Sequence, residues 1–97
     1  MTILEFNQTL TGISPPKEIS EIFEALWYDA KGDWESAHEI AQSQEGVKSY
    51  DLLHAYLHRK EGDIWNANYW YRKAKNTLPN ISLQEEWIYL VNLELSK

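Results

Sequence analysis

A Gly-Asp pair occurs twice in this sequence at an interval of 30 residues, as Gly32-Asp33 and Gly62-Asp63. Glycine can adopt the left-handed conformation that ends a helix, and the aspartate after it can accept the first backbone N–H groups of the next helix. Alanines, whose small side chains let helices approach closely, recur at the same interval: Ala25 with Ala55 and Ala37 with Ala67. The repeat predicts two helical hairpins of similar design.

The spacing of apolar residues predicts an all-α fold of about five short helices. Apolar side chains between residues 19 and 30 recur at intervals of three and four, which is typical of one buried helix face. Ser14, followed by Pro15-Pro16, predicts the start of that helix. Ser82 and Glu85 have the spacing of a capping box and predict the start of the last one. No segment shows the alternation of a strand.

The chain is expected to form a single domain, because 97 residues suffice for one hydrophobic core. We expect an N-terminal arm or loop at 1–13, a first hairpin at 14–46, a second hairpin at 47–80 and a C-terminal capping helix at 81–97. The short turn inside each hairpin should make its two helices antiparallel.

Composition excludes several classes of function. The chain has no cysteine, so it carries no disulfide and no thiolate chemistry. Its net charge of −6 is unsuited to the phosphate contacts of nucleic-acid binding. No apolar run approaches the roughly 18 residues that a membrane span needs, and the first residues lack the pattern of a secretion signal. We therefore expect a cytoplasmic protein with no nucleic-acid or membrane partner.

The second hairpin resembles a tetratricopeptide repeat. The resemblance rests on small, turn, aromatic and proline residues at that family's spacing: Ala55, Gly62-Asp63, Ala67, Tyr71, Ala74 and Pro79. The first hairpin is less similar, because Ala41 stands where an aromatic residue is usual. The resemblance covers residues 18–80, and the whole chain is also similar to a set of short, uncharacterised bacterial proteins. Since the family typically stacks about three or more repeats, the last helix is expected to act as the cap.

This resemblance implies a protein–protein interaction module or small adaptor. In the family, peptides bind along the inner face formed by the first helix of each repeat. At matching positions that face would carry Leu26, Asp29, Leu52, Tyr56, Arg59 and Lys60. Because an aromatic ring and two cations share one helix face, the expected ligand is an acidic peptide. Long charged side chains at a helix end are rarely buried, so we expect both bases to be accessible. A second copy of the chain is the alternative partner.

Histidines on the third helix support a different function. Asp51, His54 and His58 share one helical face, and two histidines four residues apart could ligate zinc. His38 or Glu39 on the second helix would supply a further ligand. The protein would then be a metal-binding or small-molecule-binding regulator. The simpler interpretation is that His54 and His58 are half-buried polar residues bonded to neighbouring carbonyls or carboxylates, and we assign no metal ligand.

No catalytic motif occurs in the sequence. It has no GxSxG, no phosphate-binding glycine loop and no dinucleotide fingerprint. Paired carboxylates such as Glu85-Glu86 lie near helix starts, where capping explains them better than acid–base catalysis. We therefore expect no enzymatic activity, no catalytic residue and no cofactor.

Overall fold

The computed structural model describes residues 1–97 and is built from helices alone, which confirms the all-α class. It contains six helices where the sequence predicts about five: α1 (Ile3–Thr9), α2 (Glu21–Ala30), α3 (Trp34–Gln42), α4 (Lys48–Lys60), α5 (Ile64–Lys73) and α6 (Leu83–Leu95). None of the six combines the length and the apolar character that crossing a membrane requires.

The two Gly-Asp turns have the same geometry. Gly32 and Gly62 both have a φ of +87°, in the left-handed region. Asp33 caps α3 by accepting the backbone N–H of Ser36 at 3.1 Å. Asp63 caps α5 through the equivalent contact, at 3.2 Å. Helices α2 and α3 pack together, as do α4 and α5, and α3 joins the two pairs by packing on α4. The predicted helix–turn–helix units are therefore present.

We expect Gly62→Val to lower the free energy of unfolding by about 1 to 3 kcal/mol. A β-branched side chain disfavours the positive φ that Gly62 adopts. An added Cβ would meet no atom within 4 Å, so backbone strain accounts for the loss. Urea denaturation followed by circular dichroism measures it. Gly62→Asn is the matched control, because asparagine tolerates this conformation. Equal losses in the two variants would contradict the explanation.

Residues 1–13 are not an irregular arm, which corrects the prediction for this segment. Thr2 caps α1 in a capping box: its Oγ1 accepts the N–H of Glu5 at 3.1 Å, and the Glu5 carboxylate accepts the N–H of Thr2 at 2.9 Å. Phe6, from the middle of α1, is fully buried. A helix of seven residues is too short to display a repeating apolar pattern, so only the capping box could have revealed it.

The first hairpin begins later than predicted. Ser20, and not Ser14, caps α2, with its Oγ accepting the N–H of Phe23 at 3.2 Å. Pro15-Pro16 lies in the connection between α1 and α2. Glu18 has a φ of +63°, and a helix cannot continue through a residue in this conformation. The prolines therefore do not open a helix here.

Helix α6 covers the face that α2 and α4 form together, and it also packs against α1. The Trp87 indole N–H donates to the carbonyl of Leu26 at 3.1 Å, and the Trp87 ring stacks on Phe6 with 5.9 Å between centroids. The capping box of Ser82 and Glu85 that opens α6 is present as predicted. The capping helix does not extend the stack beyond α5, however. It folds back over the first helices of both hairpins.

Candidate functional site

The six residues expected to bind a peptide lie beneath or beside α6. Four of them are buried, with Leu26 at 0%, Asp29 at 2%, Leu52 at 5% and Tyr56 at 2% of full exposure. The Tyr56 hydroxyl donates to the Asp29 carboxylate at 2.8 Å, and this burial beside a carboxylate raises the pKa of Tyr56. These four side chains are buried and therefore do not form the exposed binding face that was expected.

The two bases of the expected site are engaged in internal ion pairs. Lys60 Nζ lies 2.9 Å from a carboxylate oxygen of Asp29. Arg59 Nη1 lies 2.8 Å from Glu86 of α6, whose other oxygen accepts the Tyr71 hydroxyl at 2.5 Å. The buried carboxylates of Asp29 and Glu86 thus each accept a hydrogen bond from one tyrosine hydroxyl and pair with one cation. Arg59 is partly buried, which corrects its expected accessibility, whereas Lys60 stays exposed as expected, at 38% of its full side-chain exposure, while it pairs with a buried acid.

An open groove lies between the start of α4 and the outer side of α6. It has a volume of about 500 Å³. Its apolar lining consists of Ile22, Val47, Leu52, Leu53, Tyr89, Leu90 and Leu93. Its charged lining residues are Lys48, Lys97 and Glu94. Tyr89 and Leu93 are not among the site residues that the sequence predicts. Their spacing of four residues, off the buried stripe of α6, is the signal that would have found them.

Three histidines from α3 and α4 converge on one side of the second hairpin. One ring nitrogen of each of His38, His54 and His58 lies within 4.8 Å of those of the other two. His38 Nε2 and His54 Nε2 are 3.0 Å apart. These are the only histidines in the chain. The sequence placed His54 and His58 on one face and offered His38 or Glu39 as a further ligand, and the structure brings His38, not Glu39, to them.

Two tryptophans and a glutamate hold these rings in place. Trp34 stacks on His38 with 4.7 Å between centroids, and Trp70 stacks on His54 with 3.9 Å between them. Glu61 lies 2.6 Å from His58 Nδ1. Burial lowers the pKa of His54 to about 4, with smaller effects in the same direction from His38 and His58. Burial also lowers the pKa of His38. The His54 ring is therefore neutral near pH 7.

Asp51 and Glu39 do not belong to this group of converging nitrogens. Asp51 is buried, and its carboxylate accepts the backbone N–H of Gly46 at 3.2 Å, which fixes the turn before α4. The place of Asp51 on the helical face therefore reflects a structural contact and not the predicted ligand set. Glu39, the alternative fourth ligand on the second helix, is exposed.

No protein-family model, curated protein or solved structure matches this chain.

Proposed function

We propose that the protein is a protein–protein interaction module that binds an acidic segment of another protein in the groove between α4 and α6. The observation that supports this most strongly is the concentration of solvent-exposed apolar side chains in that groove. Val47, Tyr89 and Leu93 keep 44%, 47% and 36% of their full exposure. Exposed apolar residues that line one concave surface are characteristic of binding sites, whereas isolated ones are ordinary.

The location of the groove follows from the position of α6. In the family that the second hairpin resembles, a peptide occupies the inner face of the first helices. Here α6 covers that face, with Trp87 bonded to Leu26 of α2. A partner can instead reach the outer side of α6 and the neighbouring end of α4. The floor of the groove, with Leu52 and Leu90, connects it directly to the core.

Charge supports an acidic partner. Lys48 is exposed at the groove and has no carboxylate within 4.0 Å, while Lys97 pairs with Glu94 at 3.0 Å. An acidic segment with apolar anchor residues would place its carboxylates beside Lys48 and its anchors against Tyr89. A second copy of the chain is the alternative occupant, since a chain with 15 acidic residues could supply the same carboxylates.

Selection of phage-displayed random peptides against the purified protein tests the proposal. We expect the enriched peptides to be acidic with spaced apolar residues. Tyr89→Ala combined with Lys48→Glu should weaken their binding about tenfold or more, since aromatic anchors dominate binding energy. Trp65→Ala is the control, because Trp65 is 75% exposed on α5 and lies outside the groove.

Several outcomes would contradict the proposal. Three results would place the binding surface elsewhere. The enriched peptides could be basic, their binding could be unaffected by the groove variants, or their binding could be lost in Trp65→Ala. A mass that doubles with protein concentration, and returns to one chain in Tyr89→Ala, would assign the groove to self-association. If no peptide is enriched, the protein does not bind peptides of the proposed kind, and the proposal is overturned.

A further inference from the structure

We propose that His38, His54 and His58 bind a divalent transition metal ion of the zinc type through one ring nitrogen each. The site lies on α3 and α4 and shares no residue with the groove, so it is independent of the proposed interaction function. Imidazole nitrogens are favoured ligands for zinc and neighbouring first-row ions.

The distances between the ring nitrogens fit such an ion. Zinc–nitrogen bonds of about 2.0 to 2.1 Å place two nitrogens of a tetrahedral site about 3.3 Å apart. His38 Nε2 and His54 Nε2 are already 3.0 Å apart. Every other pair lies within 4.8 Å, so movements of roughly 1 Å or less per ring would bring all three to coordination distance.

The polar contacts of the cluster are also unusual for a purely structural role. His54 is 4% exposed; its Nδ1 atom has no hydrogen-bond partner, and its Nε2 atom bonds only to His38 Nε2. Buried polar atoms in folded proteins are nearly always paired, as the carboxylates of Asp29 and Glu86 are here. Three histidines placed for structure alone would be expected to bond to carbonyls or carboxylates. Instead, His38 and His54 contact each other through their Nε2 atoms.

The surroundings match those of metal-binding histidines. Such residues usually donate their second ring N–H to a carboxylate, which orients the ring and leaves the other nitrogen free to coordinate. Glu61 stands in this relation to His58 Nδ1, at 2.6 Å. Trp34, whose indole N–H donates to the Leu57 carbonyl at 2.8 Å, holds the ring of His38 by stacking. Contacts within the protein therefore already orient the rings of His38 and His58 without an ion.

The trio leaves one tetrahedral position to a water molecule or another outside ligand. His38 and His58 are only partly buried, whereas His54 lies at the inner end of the cluster. An ion can therefore enter from solvent past the two outer rings. A second group, of His58, Glu61 and Asp63, also lies within ligand distance and shares His58 with the trio. His38 distinguishes the two sites, because it belongs to only one of them.

Titration of the full-length, EDTA-treated protein with zinc chloride, followed by calorimetry, tests the proposal. We expect one ion per chain with a micromolar or tighter dissociation constant. His38→Gln and His58→Gln should each weaken binding about tenfold or more, whereas Glu39→Gln, an exposed acid on the same helix as His38, should not. Circular dichroism establishes that each variant is folded.

Imidazole nitrogen NMR of the wild-type protein provides the measurement that needs no variant. Zinc should shift the signals of all three rings together. Absence of binding at one equivalent of zinc, unchanged affinity in His38→Gln, or shifts confined to His58 would each overturn the proposed site. The last two results would assign the ion to the His58, Glu61 and Asp63 group.

Discussion

Arg59→Glu is expected to lower the free energy of unfolding by about 3 to 5 kcal/mol. Such a loss is a large part of the roughly 5 to 15 kcal/mol that stabilises a typical small domain. Arg59 keeps 16% of its side-chain exposure, and Glu86 keeps only 4%. The substitution would remove the cation from a buried carboxylate and place a second carboxylate beside it. Adding Lys60→Glu would create the same conflict at Asp29, whose side chain is 1% exposed.

Chemical denaturation of the Arg59→Glu variant, followed by circular dichroism at several urea concentrations, measures the loss. Arg72→Glu is the matched control, because Arg72 is an exposed base on α5 without an ion pair within 4.0 Å. Changes at such a surface position are usually within about 0.5 kcal/mol. Equal stability of the two variants would show that the Arg59–Glu86 pair contributes nothing to the fold.

Sequence reasoning succeeded where the structural signal is local. The turns at Gly62 and Asp63 and the capping box of Ser82 with Glu85 are contacts between residues at most three positions apart, and all are present. The predicted helix boundaries were wrong where a strong local signal was misleading, as at Ser14, which was expected to cap the first helix of the first hairpin. The prediction also missed α1, because a helix of seven residues is too short to show a repeating apolar pattern.

The accessibility of the inner face could not be predicted in the same way. It depends on where α6 docks, and the bond from Trp87 to Leu26 joins residues 61 positions apart. Nothing near Tyr56 or Arg59 in the sequence indicates that a distant helix will cover them. The resemblance to a repeat family implied an open face, because peptides bind along that face in the family.

The histidine cluster was partly predictable. His54 and His58 share a face because of their spacing within α4, which helix geometry alone establishes. His38 joins them because α3 packs on α4. The 30-residue repeat predicts where α3 begins and thereby the position of His38 along it. The repeat aligns Trp34 with Ile64, so both second helices start at the same register. The stacking of Trp34 and Trp70 on two of the rings has no sequence signature that separates it from ordinary core packing.

Trp87→Ala is expected to destabilise the fold by about 3 to 5 kcal/mol, the usual cost of removing a buried tryptophan. Trp87 is 4% exposed and contacts both α1, through the Phe6 ring, and α2, through the Leu26 carbonyl. Its loss would leave a cavity at the meeting point of three helices. It would also remove one of the contacts that hold α6 over the inner face.

Trp65→Ala is the control for that variant, since the same side chain is removed from a site that is 75% exposed. Its effect on stability should stay within about 0.5 kcal/mol. Hydrogen exchange adds a local measurement, because partial release of α6 would speed exchange in α1 and α6 more than in α3, against which α6 does not pack. Uniform acceleration across all six helices would mean instead that α6 unfolds only together with the whole domain. Unchanged stability and exchange would show that α6 does not depend on Trp87. The account of a covered inner face, on which the position of the proposed binding groove rests, would then be wrong.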